Sequence, residues 1–293
     1  MNKKVKEKII VYALAVCALL TVLTTTGILY VLVSETITFF SQVSIFDFFT
    51  DTQWTPLFAE KHFGILPLLS GTILTSFIAI GVALPIGLTI AIYLNEYAHG
   101  QFKSVIKPVL ELLAAVPTVV YGFFALTVVT PFFQTIFPNM AGFNSLSAGF
   151  VMGIMIIPYV SSLSDDAISA VPVSLRHGSL ALGASRLQTA FKVMIPSAAS
   201  GIIVSVILAI SRAVGETMIV AIAAGQQPRL TLNPLVPVET ITTYIVQISL
   251  GDVPQNSLEY RTIFAAGISL FVLTFALNNI GYWFNKKYHR KYE

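Results

Sequence analysis

Six stretches of this chain stay apolar long enough to cross a bilayer, and that limits the fold more than any motif does. A hydrocarbon core of roughly 30 Å takes about 20 helical residues. The runs 9–33, 66–94, 110–129, 146–163, 198–224 and 262–284 reach or approach that length. In lipid every backbone N–H and C=O has to be satisfied within the segment, so such runs are expected as helices. With 55% apolar and 11% charged residues and a mean hydropathy of +0.80, the chain carries more apolar surface than one soluble core can hide. The expected class is an all-α integral membrane protein with six transmembrane helices, in contact with membrane lipid. No basic face is present, which argues against nucleic acid as a partner.

Lys3, Lys4, Lys6 and Lys8 precede the first run in the manner of a signal peptide. Its 25 uncharged residues exceed a signal core of about 7–15, and no A-x-A site follows, so it is read as a retained anchor. Cys17 is the only cysteine, which excludes an intrachain disulfide, and without a small residue before it the thiol is read as packed and inert. The basic residues set the orientation. Lys3, Lys4, Lys6, Lys8, Lys103, Lys107, Arg176, Arg186, Lys192, Lys286, Lys287, Arg290 and Lys291 all fall on one side, whereas Lys61, Arg229 and Arg261 fall on the other. Both termini and the loop between the fourth and fifth runs are therefore expected in the cytoplasm. Trp54, Phe46, Phe48 and Phe49 suit the outer interface, and Gly149 and Gly153 have the spacing of a close helix contact or are two ordinary glycines. Pro117 and Pro131 are expected to kink or end the third run.

Arg212 and Glu216 lie inside the fifth run. A charge near mid-bilayer costs about 2.5–3.5 kcal/mol on insertion scales, so it is by default a functional residue in need of a partner. Four residues apart on a continuous helix the two share a face, and the expectation is an ion pair with a functional role; the bland alternative is a static pair that fixes packing. No phosphate-binding glycine loop, metal-ligand cluster or nucleophile with an evident base is present. His62, His99, His177 and His289 are scattered over separate segments, and Asp165–Asp166 reads as a solvated helix end. The chain is expected to be neither an enzyme nor the holder of a metal or cofactor.

The segment 164–196 is the most specific part. Pro172 suits the first turn of a helix and Gly183 its end, Ser185 can cap a second short helix, and Pro196 stops it. Leu175, Leu180, Leu182, Leu187 and Phe191 then form an exposed knob, sticky unless it docks on a partner or lies on the membrane. Gly183, Val193, Ile195 and Pro196 match the Gly, two aliphatic and Pro positions of the coupling loop of ABC-importer permeases, which this segment resembles. His177, Gly178 and Ser179 stand where that motif has Glu-Ala-Ala, and Arg176 beside them offers another polar contact.

The runs Ile-Ser-Arg-Ala-Val-Gly-Glu-Thr-Met at 210–218, Val-Pro-Thr-Val-Val-Tyr-Gly at 116–122 and Leu-Gly-Asp-Val-Pro at 250–254 resemble the PstC-type permeases of phosphate ABC importers. The resemblance covers the chain from about residue 46 to the last helix. It implies the core of a type I ABC importer permease (MetI-like) over 66–285, behind an N-terminal helix and outer segment at 1–65 and before a basic tail at 286–293. It further implies a second permease (PstA type), an ATPase dimer (PstB type) that carries the ATP and Mg, and a phosphate-binding protein (PstS type). Inorganic phosphate would pass Arg212 and Glu216, and Arg176, His177, Gly178, Ser179, Gly183 and Pro196 would couple to the ATPase. A permease for molybdate or sulfate, or an ATP-independent secondary transporter, are the alternatives.

Overall fold

The computed structural model describes residues 3–98 and 100–289, and among these it contains helices and no strand. His99, Arg290 and Lys291 lie outside the described residues, as do the side chains of Lys3, Lys4, Lys6, Lys103, Lys287 and His289. Among the described residues five stretches are long and apolar enough to cross a membrane: Glu7–Phe40, Leu66–Glu96, Thr118–Ile136, Ser145–Ser169 and Leu258–Phe284. The sixth apolar run is shorter and broken.

Helix α1 (Lys3–Phe40) leads into a short α2 (Ile45–Thr50), then the long α3 (Leu66–Glu96). Among the described residues the N-terminal part of α1, from Glu7, is exposed; Cys17 is exposed there, so its thiol is not packed as expected. Helix α4 (Gly100–Ala115) stands apart from the third span, which begins only at α5 (Thr118–Phe124), passes through a π-helical turn at Ala125–Val129, and ends with α6 (Thr130–Ile136). The span predicted at 110–129 is thus shifted along the chain. Pro117, with extended ψ, cannot continue α4 and starts α5 instead. Tyr121 Oη donates back to the Leu113 carbonyl (2.7 Å), satisfying the frayed end of α4. Pro131 does not end the span: the wide π turn before it relieves the clash of its ring with the preceding turn.

Helix α7 (Ser145–Ser169) is the most buried span and, at 25 residues, longer than the run predicted at 146–163. Asn144 caps it by accepting from the Ser147 N–H (2.7 Å), and its polar end continues because Ser161, Ser164 and Asp165 are all buried. Its partner is α3. Cβ atoms built on Gly149 and Gly153 would lie 2.7 Å from Ile78 Cβ and 2.7 Å from Val82 Cβ, and one on Gly87 of α3 would lie 2.9 Å from Val160 Cβ. These glycines let the two backbones approach, which settles the choice between a contact face and ordinary glycines.

Beyond α7 come α8 (Val173–Ala181), α9 (Arg186–Thr189), a second π turn at Ala190–Met194 and α10 (Ile195–Ser197). Again the π turn precedes a proline, so Pro196 is carried within the helical run, which ends at a 73° bend before α11 (Ala199–Val214). The run predicted at 198–224 is not one helix: α11 stops at Gly215, and α12 (Met218–Ala223) starts after a three-residue break. The chain closes with α13 (Ile241–Leu250) and α14 (Leu258–His289), the latter against α1 and α11.

At the end remote from α8–α10, Phe39, Phe48, Trp54, Leu68, Ile241 and Tyr244 form a second core. Trp54 and Phe48 are buried in it, not displayed at an interface as expected, whereas Phe46 and Phe49 are exposed. Glu239 is 2% exposed beside this core, and its Oε1 has no hydrogen-bond partner among the described residues. Burial lifts its carboxyl from the ordinary 4.5 to about 8.

Two predictions follow from these contacts. Gly153→Leu should overpack the α3–α7 contact at a cost of about 1–3 kcal/mol and lower the thermal midpoint in detergent. Gly27→Leu, at a site with nothing within 4 Å, should leave it unchanged; equal midpoints for both variants would contradict a close-contact role. Because the folded Glu239 holds its proton where the unfolded chain has lost it, stability is full below pH 4.5 and declines as pH rises towards about 8. Thermal melts across that window should show this decline in the wild type and a flatter profile in Glu239→Gln.

Candidate functional site

Two regions hold the residues singled out from the sequence, one on the α8–α10 loop and one around α11. On the loop, α8 ends in a Schellman turn. Gly183, at φ +84°, donates to the Leu180 carbonyl (3.0 Å), and the Ala184 N–H donates to Ser179 (3.2 Å). A Cβ at Gly183 would meet nothing within 4 Å, so glycine is needed for its backbone conformation and not for space. Ser185 and Gln188 form a reciprocal capping box at the start of α9. Ser179 Oγ and Thr189 Oγ1, 3.0 Å apart, then hold the two short helices together.

The result is the expected knob, with Leu175, Leu180, Leu182, Leu187 and Phe191 exposed. Between its helices runs an open groove of about 510 Å³ lined by Leu175, Gly178, Ser179, Leu182 and Lys192 among others. His177 is exposed, and a Cβ at Gly178 would meet open space. Arg176 differs from expectation. It turns inward, with its guanidinium 3.0 Å from Glu96 Oε2 at the end of α3, where the carboxylate is 2% exposed. The pair ties the knob to a spanning helix, so Arg176 is not a free polar contact for a partner. Glu96 was not found from the sequence, because the partner that gives it a role lies 80 positions away.

Around α11 the geometry also departs from the sequence expectation. Arg212 is in the last turn of α11, but Glu216 lies within the break, so the two do not share a helical face. Among the described residues no ion pair joins them. Glu216 Oε1 instead accepts from the N–H groups of Met218 (3.1 Å) and Ile219 (3.3 Å), capping α12, while its backbone carbonyl accepts from Thr242 Oγ1 (2.7 Å). An interrupted helix in a spanning segment exposes backbone groups, and Glu216 and Thr242 satisfy them.

Freed from Glu216, the Arg212 guanidinium lies 3.9 Å from Met155 Sδ and lines a cavity of about 390 Å³. Lys107 and Glu111 of α4 and Asp165 of α7 line it too. Asp165 is not a solvated helix end as predicted: it is 1% exposed and 3.0 Å from Lys107 Nζ, with Asn95 donating to it (3.4 Å), whereas Asp166 is exposed. The carboxylate beside Lys107 holds its ammonium above the ordinary 10.5. Sequence reasoning missed Lys107 as a cavity residue; its one available signal was a lysine placed just before an apolar run.

Breaking a buried acid's only strong ion pair costs about 3–5 kcal/mol when fully buried, and less here because Arg176 is partly exposed. Arg176→Ala should therefore speed amide hydrogen exchange in α8 while leaving α7 unchanged, and the double variant with Glu96→Gln should recover part of the loss. Unaltered α8 exchange in Arg176→Ala would contradict the tether.

Residues 83–290 match the family described as "Binding-protein-dependent transport system inner membrane component". The chain is 36% identical over 233 residues to the "Probable ABC transporter permease protein YqgH" of Bacillus subtilis (strain 168), covering 80% of this chain and 75% of that protein. It is 34% identical over 250 residues to the "Phosphate transport system permease protein PstC" of Xylella fastidiosa (strain Temecula1 / ATCC 700964), covering 78% and 75%. Its fold is similar to a chain of a bacterial ABC transporter involved in the import of alginate, with TM-score 0.64 and 18% identity over 99% of each chain. It is also similar to a chain of the MetNI methionine ABC transporter, with TM-score 0.56 and 16% identity over 77% of this chain and 94% of that one.

Proposed function

The chain belongs to the family of binding-protein-dependent transport system inner membrane components, multi-pass proteins of the plasma membrane, and on that premise we propose that it is a permease subunit of an ATP-driven importer of inorganic phosphate. The observation that carries this is Arg212: a guanidinium in the last turn of an apolar helix, opening into a 390 Å³ cavity with no carboxylate paired to it among the described residues. A planar fork of donors in a partly desolvated cleft suits a phosphate oxyanion. The PstC relatives supply the choice of anion.

A path for one anion needs both halves of a pore, so a second homologous permease of PstA type completes the cavity. An ATPase dimer of PstB type, holding ATP and Mg, docks on the exposed leucines of the α8–α10 knob, and a PstS-type binding protein delivers phosphate at the opposite end. The chain has no nucleotide-binding loop and acts as a conduit, not as an enzyme. The excess of Lys and Arg at the knob end supports a cytoplasmic location for that end and for both termini. Gly178 and Ser179 line a groove that holds no carboxylate, with His177 exposed nearby, so docking there rests on shape, on the leucines and on Lys192, with Gly183 and Pro196 shaping the knob. Force applied to the knob reaches α3 through Arg176–Glu96 and reaches α11 through the 73° bend after α10. Residues 66–285 act as the moving core, with 1–65 as an accessory helix and outer segment and 286–293 as a basic tail.

In vesicles holding the whole complex, Arg212→Ala should reduce ATP-driven phosphate uptake by about tenfold or more, the scale of one charge-assisted hydrogen bond, while the ATPase still co-purifies. Excess sulfate or molybdate should leave wild-type phosphate uptake intact. Normal uptake by the variant would remove Arg212 from the pathway, and strong competition by molybdate would reassign the anion.

A further inference from the structure

The cavity that Arg212 lines holds a second cation, and its environment is unlike that of the first. Lys107 Nζ sits 3.0 Å from Asp165 Oδ2. The lysine side chain is 43% exposed, whereas the aspartate is 1% exposed, so the two partners face different solvents. The carboxylate is anchored from behind by Asn95, which also donates to Ser169 Oγ (2.8 Å). The lysine comes from α4, a helix that is not among the membrane-crossing ones and that lies beside α7. Asp165 is thus a fixed, buried anion, while Lys107 is a long, half-exposed cation at the mouth of the cavity, able to turn between that carboxylate and the open space.

The remaining charged groups bound the problem. Glu111, one turn along α4, and Asp166, next to Asp165, are exposed and act on Lys107 only through space. Arg212 faces the cavity from α11. Among the described residues the lining therefore holds two cations and two acids, Lys107 and Arg212 against Asp165 and Glu111, which balance formally. An oxyanion entering a neutral cleft has to find positive charge that is already committed elsewhere, and the cheapest source is a pair whose cation is the mobile member.

We propose that Lys107 is a second phosphate-binding residue of the translocation cavity, lent to the anion by Asp165 and reclaimed by it, so that the anion is gripped by Lys107 and Arg212 together and released when Asp165 takes the lysine back. This deepens the function proposed above and rests on it. Asp165 here is a positioning residue. It keeps the unloaded cavity neutral, and it competes with phosphate for Lys107, which sets how readily the anion leaves. A cavity with two uncommitted cations would hold a multivalent oxyanion too long to pass it on.

The test uses the whole complex in vesicles, in a Cys17→Ser background so that Lys107→Cys carries the one reactive thiol of this chain. Lys107→Cys should lower phosphate uptake by about tenfold, the scale of losing one charge-assisted hydrogen bond. Labelling with an ammonium-bearing methanethiosulfonate should restore most of it, and labelling with a neutral methyl reagent should not. Millimolar inorganic phosphate should slow the labelling relative to chloride at equal ionic strength. In Asp165→Asn, with the complex still assembled, the turnover rate should fall while the phosphate concentration for half-maximal uptake falls with it, the signature of an anion held too long. Equal rescue by the neutral reagent, or full uptake in unlabelled Lys107→Cys, would overturn the proposal and leave the pair a structural brace. Arg212→Ala assayed beside it separates the levels: if that variant transports normally, the phosphate pathway itself is misplaced, whereas a dead Arg212→Ala beside a fully active Lys107→Cys removes Lys107 alone.

Discussion

The contact between α3 and α7 is the constraint on which the rest of the structure depends. In a bilayer, apolar surface gives helices no reason to associate, so association rests on close packing and on polar contacts. Gly87, Gly149 and Gly153 let these two helices approach to a distance that any Cβ would block. Both buried acids that form the ion pairs then sit on one helix or the other. The end of α3 carries Asn95 and Glu96, and the face of α7 carries Met155 and Asp165.

From that axle two ion pairs run outward in different directions. Glu96 reaches Arg176 and fixes the knob, and Asp165 reaches Lys107 and closes one wall of the cavity. In both, the acid is buried on a spanning helix and the base is long and partly exposed on a peripheral one. For Glu96 the loss of its counter-ion is costly, whereas the half-exposed Lys107 can turn from Asp165 and still meet water or an anion. The first arrangement transmits position well: displacement of α8 is felt at the end of α3 through a contact that resists separation.

Helix breaks supply the remaining geometry, and each has a local chemical cause. Pro131 and Pro196 are both preceded by a π turn that makes room for the ring, Pro117 separates α4 from α5, and Gly215 ends α11. The last break matters most for the cavity. It rotates Glu216 away from Arg212 and employs it as the cap of α12, so that the guanidinium is left to the cavity. The 3.6-residue period that made the two residues look like partners holds only while the helix is continuous.

The sequence by itself determined the class, the existence of the apolar runs, the exposed knob with its Gly183 turn and Ser185 cap, and the prominence of Arg212, because each follows from local composition or from turn and capping chemistry spanning a few residues. The family resemblance was legible for the same reason, in short contiguous runs. Only the tertiary structure decided who pairs with whom. Glu96 with Arg176 and Lys107 with Asp165 join positions 80 and 58 residues apart, and an ion pair between distant segments depends on the packing that brings them together, which here is set by three glycines on two helices. The misplaced third span and the false Arg212–Glu216 pair have one physical source: hydropathy registers that a segment is apolar, but it does not register where the backbone inside that segment stops being a helix.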